Sequence, residues 1–75
     1  MTTEHTIATE RAVRVNGTEE RLAATTIAEL LSARELNGRG VAVALNGSVV
    51  PRAAWAATLL HDGDIVEIVR AMQGG

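Results

Sequence analysis

The chain predicts an α+β domain, a mixed five-stranded sheet with one main helix packed across it and a short helical turn near Trp55. Three observations carry this. Two Asn-Gly pairs, at 16-17 and 46-47, follow apolar alternating stretches and supply the two φ > 0 residues that a two-residue type I′ hairpin turn needs. Between the hairpins, Thr26 and Glu29 stand at capping-box spacing ahead of Ile27, Leu30 and Leu31, which share one helical face. Near the end, Ile65 to Val69 is apolar on both faces, the mark of a central strand. With 75 residues there is material for one small core, and a chain of this size buries only about 60 % of what its unfolded form exposes.

Taken in order, the first ten residues are polar around a single Ile7 and read as a flexible N-terminal extension, with the domain spanning 11-70 and a flexible tail at 71-75. Val13 and Val15 alternate with Arg14, Asn16-Gly17 turns the chain, and Thr18 to Leu22 returns as the second strand. The helix is expected from about 27 to 35, with Glu29 reaching back to the cap and Asn37-Gly38 with Gly40 offering a left-handed stop. Arg34 interrupts the apolar stripe, and Leu36 lies off it, placed to pack back after the helix ends. In Val41 to Leu45, Val41, Val43 and Leu45 share the core face while Ala42 and Ala44 point the other way. Val49-Val50 can pair back only briefly before Pro51, which lacks a ladder donor. Residues 52-60 form a short helical turn that buries Trp55, and His61 to Asp64 turns tightly into the last strand. Placing Val66 and Ile68 inward sends Glu67 and Val69 outward beside Ala42 and Ala44, a mildly apolar face suited to partner docking.

Composition excludes several function classes. Nine acids against seven bases give a net charge of −2, the wrong sign for a nucleic-acid stripe. Hydrophobic residues make up 47 % of the chain, yet no apolar run approaches the ~20 residues of a membrane span. The opening residues have neither a basic start nor an apolar stretch, so a cytoplasmic address is expected. There is no Lys for Schiff-base chemistry and no Cys for disulfides, thiolate metal sites or protein-borne persulfides. His5 and His61 lack a neighbouring nucleophile or a second His at ligand spacing, and Asp62-Gly63-Asp64 lacks the remaining ligands of a calcium loop. The glycine pairs lack the strand and helix context of a phosphate cradle. No metal site and no bound cofactor are expected, and the chain is not expected to be an enzyme.

The C-terminus is different. Met72-Gln73-Gly74-Gly75 ends the chain on two residues without Cβ, a strip thin enough to enter a narrow cleft and present a main-chain carboxylate. A carboxylate becomes a useful electrophile once adenylated, and sulfur could then displace AMP to leave a thiocarboxylate at Gly75.

The segments Leu45-Asn-Gly-Ser-Val-Val-Pro-Arg-Ala-Ala-Trp55 and Leu60-His-Asp-Gly-Asp-Ile-Val-Glu-Ile68, with the terminal Gly74-Gly75, resemble the ThiS family of sulfur carriers in thiamine biosynthesis. The resemblance covers about residues 11 to 75 and departs at Arg34 and in the ten-residue extension. It implies a β-grasp, ubiquitin-like fold. It implies that Gly75 is adenylated by a ThiF-type adenylyltransferase using ATP and magnesium, with Gly74, Gln73 and Met72 entering that partner's site. A sulfur donor protein would then supply sulfur that passes to a ThiG-type thiazole synthase. The small subunit of molybdopterin synthase shares this chemistry and is the alternative, although Val50-Pro51-Arg52 with Trp55 favours the thiamine branch. A non-processed ubiquitin-like binding module is the alternative of another class.

Overall fold

The computed structural model describes residues 10-36 and 39-71. Five strands, β1 (Arg11–Val15), β2 (Thr18–Leu22), β3 (Val41–Leu45), β4 (Ser48–Val50) and β5 (Ile65–Arg70), form one sheet in the order β2-β1-β5-β3-β4. The last strand is central, parallel to β1 and antiparallel to β3, as its two apolar faces require. Helix α1 (Ile27–Ala33) crosses one face, and a 3₁₀ helix over Arg52–Ala57 closes the same side. Both hairpins turn where expected: Asn16 and Gly17 have φ of 50° and 86°, and Asn46 and Gly47 have 51° and 88°.

The inner face of the sheet supplies Val13, Val15, Val43 and Val66, which pack against Ile27, Leu30 and Leu31 of α1, with Trp55 and Leu60 completing the core. Val41, Leu45 and Ile68 join from the edge of this cluster, as the alternation predicts. Trp55 is 8 % exposed, and its indole N–H donates to the Val50 carbonyl at 3.0 Å. The one aromatic ring is therefore a core residue with its polar atom satisfied.

The two ends of α1 differ from expectation in instructive ways. At the start, Thr26 accepts from the Glu29 amide at 3.1 Å, which is the anticipated cap. Glu29, however, reaches one residue further back, where its Oε1 accepts from the Thr25 amide at 2.7 Å and from the Thr25 hydroxyl at 2.9 Å. Thr26 itself is drawn into a bridge with Leu59, flanked by bonds from the Ile27 amide to the Thr58 carbonyl and from the Leu60 amide to the Thr25 carbonyl. The helix start is thus tied to the segment after the 3₁₀ helix.

At the other end the helix stops at Ala33, two residues short of the expected limit. Glu35 takes the left-handed conformation, with φ of 60°, in place of the glycines further on. The Glu35 amide donates to the Ser32 carbonyl and the Leu36 amide to the Leu31 carbonyl, the two bonds of a Schellman motif. The reason is Leu36. Reversing the chain at Glu35 brings Leu36 back, half-buried, against the core, and this apolar contact offsets part of the roughly 1–2 kcal/mol of strain at a non-glycine left-handed residue. Arg34, freed from the helical stripe, forms an ion pair with Glu20 of β2.

Glu10, assigned by sequence to the extension, is exposed and pairs with Arg21 at 3.2 Å. The rest of that segment, residues 1-9, lies outside the described residues, as do 72-75.

Candidate functional site

The path to the C-terminus runs along β5. Its register with β3 extends from Leu45 opposite Val66 to Val41 opposite Arg70, and the Ala71 amide donates to the Gly40 carbonyl at 2.7 Å. Gly40 has φ of 72°, and a Cβ there would stand 3.6 Å from that of Ala71, so the strand end is held beside a turn. Gly75, Gly74, Gln73 and Met72 follow and lie outside the described residues.

The face of the sheet turned away from α1 gathers the four residues expected to form a docking surface. Ala42 stands opposite Val69 and Ala44 opposite Glu67, adjacent on β3 and β5. Val69 is 62 % exposed. Two apolar residues of this face were not assigned from sequence: Ile65, 48 % exposed and two residues before Glu67 on β5, and Val49, 76 % exposed, which pairs with Ala44 from β4 and extends the patch across a third strand. The signal was available. A two-residue turn at Asn46-Gly47 fixes Leu45 opposite Ser48 and therefore Ala44 opposite Val49. The short alanine side chains leave a shallow apolar strip between Val49 and Val69, with the Glu67 carboxylate beside it.

The acidic turn serves structure. The Asp62 carboxylate accepts from the Ala12 amide at 2.8 Å, and that of Asp64 accepts from the His61 amide at 2.8 Å and from Asn46 Nδ2 at 3.0 Å. His61 Nδ1 stands 3.9 Å from Asp64 and is well exposed. These groups fasten the start of β5 to both hairpins. Among the described residues no cluster of three or more His, Cys, Asp or Glu could hold a metal ion, and no helix is long and apolar enough to cross a membrane. A shallow groove of about 290 Å³ between α1 and the 3₁₀ helix is lined by Leu31, Leu36, Trp55 and Arg52 without an acid, base and nucleophile set.

Comparison with known proteins bears on the fold and the family. The model of the ThiS family matches residues 13-75, a span that includes Gly74 and Gly75. The sulfur carrier protein ThiS of Escherichia coli K12 is 36 % identical over 53 residues, covering 71 % of this chain and 80 % of that protein. The crystal structure of the thiamine biosynthesis protein ThiS from Geobacter metallireducens superposes with a TM-score of 0.71 at 38 % identity, over 85 % of this chain and 99 % of that one. A thiazole synthase from Paramagnetospirillum magneticum is 37 % identical over 62 residues, which are 81 % of this chain and 19 % of that protein. Sequence, β-grasp fold and strand order converge, and the chain belongs to the ThiS family.

Proposed function

We propose that this chain carries sulfur for thiazole formation in thiamine biosynthesis, as a thiocarboxylate on Gly75. The observation that supports it most is the family match running through Gly74-Gly75 in a chain that has no Cys and no Lys to offer as another covalent site. In the first step a Gly75 carboxylate oxygen attacks the α-phosphorus of ATP, pyrophosphate leaves, and an acyl-adenylate forms. Hydrosulfide supplied by a donor protein then attacks the carbonyl carbon and expels AMP, so that a C–S bond replaces the C–O bond to the nucleotide and the sulfur, already at the sulfide level, stays as the thiocarboxylate. ATP and magnesium are used by the ThiF-type adenylyltransferase, and the carrier is its protein co-substrate, acting in the cytoplasm.

The matched thiazole synthase supports the next partner. One fifth of that protein resembles this chain, which is the relation expected when a carrier and the enzyme that consumes its sulfur work together. The family match and the relatives lie on the thiamine branch, which disfavours molybdopterin synthase. Docking uses the outer face at Ala42, Ala44, Glu67 and Val69, while residues beyond Ala71 enter the partner's cleft. Four residues of extended chain reach at most about 14 Å, enough to cross the wall of such a cleft.

The test is ATP–pyrophosphate exchange with a ThiF-type adenylyltransferase, followed by intact mass after a sulfur donor is supplied. The full chain should support exchange and gain the mass difference between sulfur and oxygen. Removal of Gly75 should abolish both, because a misplacement of about 1 Å at a reacting atom can reduce rate ~100-fold. Equal exchange by the full and shortened chains would leave the reading of a plain ubiquitin-like binding module.

A further inference from the structure

β5 is held differently on its two sides. Towards β3 it is paired from Val66 to Arg70, but towards β1 the backbone register ends at Val15 opposite Val66. The last backbone bond on that side runs from the Asn16 amide to the Val66 carbonyl at 2.9 Å. In a parallel ladder the next bond would join the Ile68 N–H to the main-chain carbonyl of Asn16. Asn16 is already a turn residue with φ of 50°, and its side chain takes over that place. The Ile68 N–H donates to Asn16 Oδ1 at 2.8 Å, and Asn16 Nδ2 donates to the Ile68 carbonyl at 3.2 Å.

We propose that Asn16 is a positioning residue for the reacting terminus: its side-chain amide stands in for a peptide group, extends the β1–β5 ladder to Ile68, and so sets the direction in which the chain leaves the sheet towards Gly75. The functional half of this inference rests on the sulfur-carrier reading. Asn is the residue the position requires, because a carboxylate could accept from the Ile68 N–H but could not donate to its carbonyl, and alanine could do neither.

The second Asn-Gly turn provides an internal control. Asn46 has nearly the same backbone conformation, with φ of 51°, and its Oδ1 accepts from the Ile65 amide at 2.9 Å. It therefore pins the beginning of β5, whereas Asn16 pins the part that leads to the tail. Alanine at either position meets the same left-handed strain and loses comparable hydrogen bonds, so the two variants separate a positioning effect from loss of stability.

The experiment compares Asn16→Ala, Asn16→Asp and Asn46→Ala as full-length chains, using amide hydrogen exchange and steady-state ATP–pyrophosphate exchange with a ThiF-type adenylyltransferase. Asn16→Ala should speed exchange at the Ile68 amide about 10-fold relative to Glu67, the scale expected for loss of one net hydrogen bond. It should lower kcat for adenylation about 10-fold with KM within twofold, because the docking face is untouched. Asn16→Asp should retain protection at Ile68 and give an intermediate kcat. Asn46→Ala should keep the wild-type kcat. An unchanged Ile68 exchange rate, or equal kcat losses in Asn16→Ala and Asn46→Ala, would overturn the proposal. If Asn16→Ala does not fold at the assay temperature, Asn16→Asp decides alone, and a wild-type kcat in it overturns the proposal. A wild-type chain that is not adenylated would instead overturn the carrier reading, and Ile68 exchange would still judge the structural half.

Discussion

Val66 and Val69 are three residues apart on the same central strand, yet Val66 is fully buried and Val69 is 62 % exposed. Strand propensity treats them alike. What separates them is that α1 and the 3₁₀ helix together cover one face of the sheet, while the other face has no covering element among the described residues. The covered face is built from branched residues in contact with Leu30, Leu31 and Trp55. The open face, over β3 and β5, has alanines at 42 and 44 with Glu67 between apolar neighbours. A small domain with one seven-residue helix can cover one side of its sheet, and the other side is available for a partner.

The contrast is tested most severely at Trp55. Trp55→Ala removes the largest side chain from the covered face and leaves the Val50 carbonyl without the indole donor. The expected loss is roughly 3–5 kcal/mol, a large share of the stability of a domain of this size, read as a shift of the urea midpoint. A midpoint barely displaced would mean that the inner face is not the source of stability.

A smaller effect is expected where α1 begins. Hydrogen bonds from the Thr25 amide and hydroxyl hold the Glu29 carboxyl below the usual carboxylate range, with a minor contribution from Arg11. A depressed pKa in the folded state means that the stabilisation is present above the unfolded value, about 4.3, and is lost as pH falls through the folded value. The wild-type urea midpoint should exceed that of Glu29→Gln near pH 6, and the difference should shrink as pH falls below the ordinary glutamate value of about 4.3 and the carboxylate protonates in the folded state. A pH-independent difference would remove the charge from the account of the cap. Because Glu29 is exposed, raising salt should narrow the gap as well.

These regions also differ in how legible they were. Both hairpins could be read from Asn-Gly because the turn's demand for two positive φ values is local. The five strands and the inner face followed from alternation, and with them the grouping of Ala42, Ala44, Glu67 and Val69 on the outer face. The helix end could not be read, because the choice of Glu35 over a glycine depends on where Leu36 finds apolar neighbours, which is a tertiary fact. Capping-box spacing likewise placed Glu29 correctly but misassigned its acceptor role by one residue, its Oε1 accepting from Thr25 and not from the Thr26 amide. The roles of Asn16 and Asn46 on β5 were hidden too, since their turn chemistry was visible but a partner 52 or 19 positions away was not. The role proposed for the terminus rests on the residue chemistry and the order of motifs alone, since residues 72-75 lie outside the described residues.

The last prediction concerns the open face and has almost no expected effect on folding. Ala44 lies on β3 between Val49 of β4 and Glu67 of β5, with its side chain on the side away from α1. An arginine there can extend into solvent and stand within reach of Glu67, an exposed pairing of a kind usually worth 0 to about 1 kcal/mol. Ala44→Arg should therefore change stability by no more than about 0.5 kcal/mol, the ordinary range for surface positions. The same side chain would place a long charged group in the middle of the apolar strip that Val49 and Val69 define, where a docked partner would have to desolvate it. Affinity for the adenylyltransferase, measured by calorimetric titration at fixed salt, should fall about 10-fold or more while the urea midpoint stays where it was. Lost affinity together with a displaced midpoint would implicate folding rather than docking. Unchanged affinity with an unchanged midpoint would move the partner off this face and leave the exposed valines as the ordinary apolar residue of a one-helix sheet.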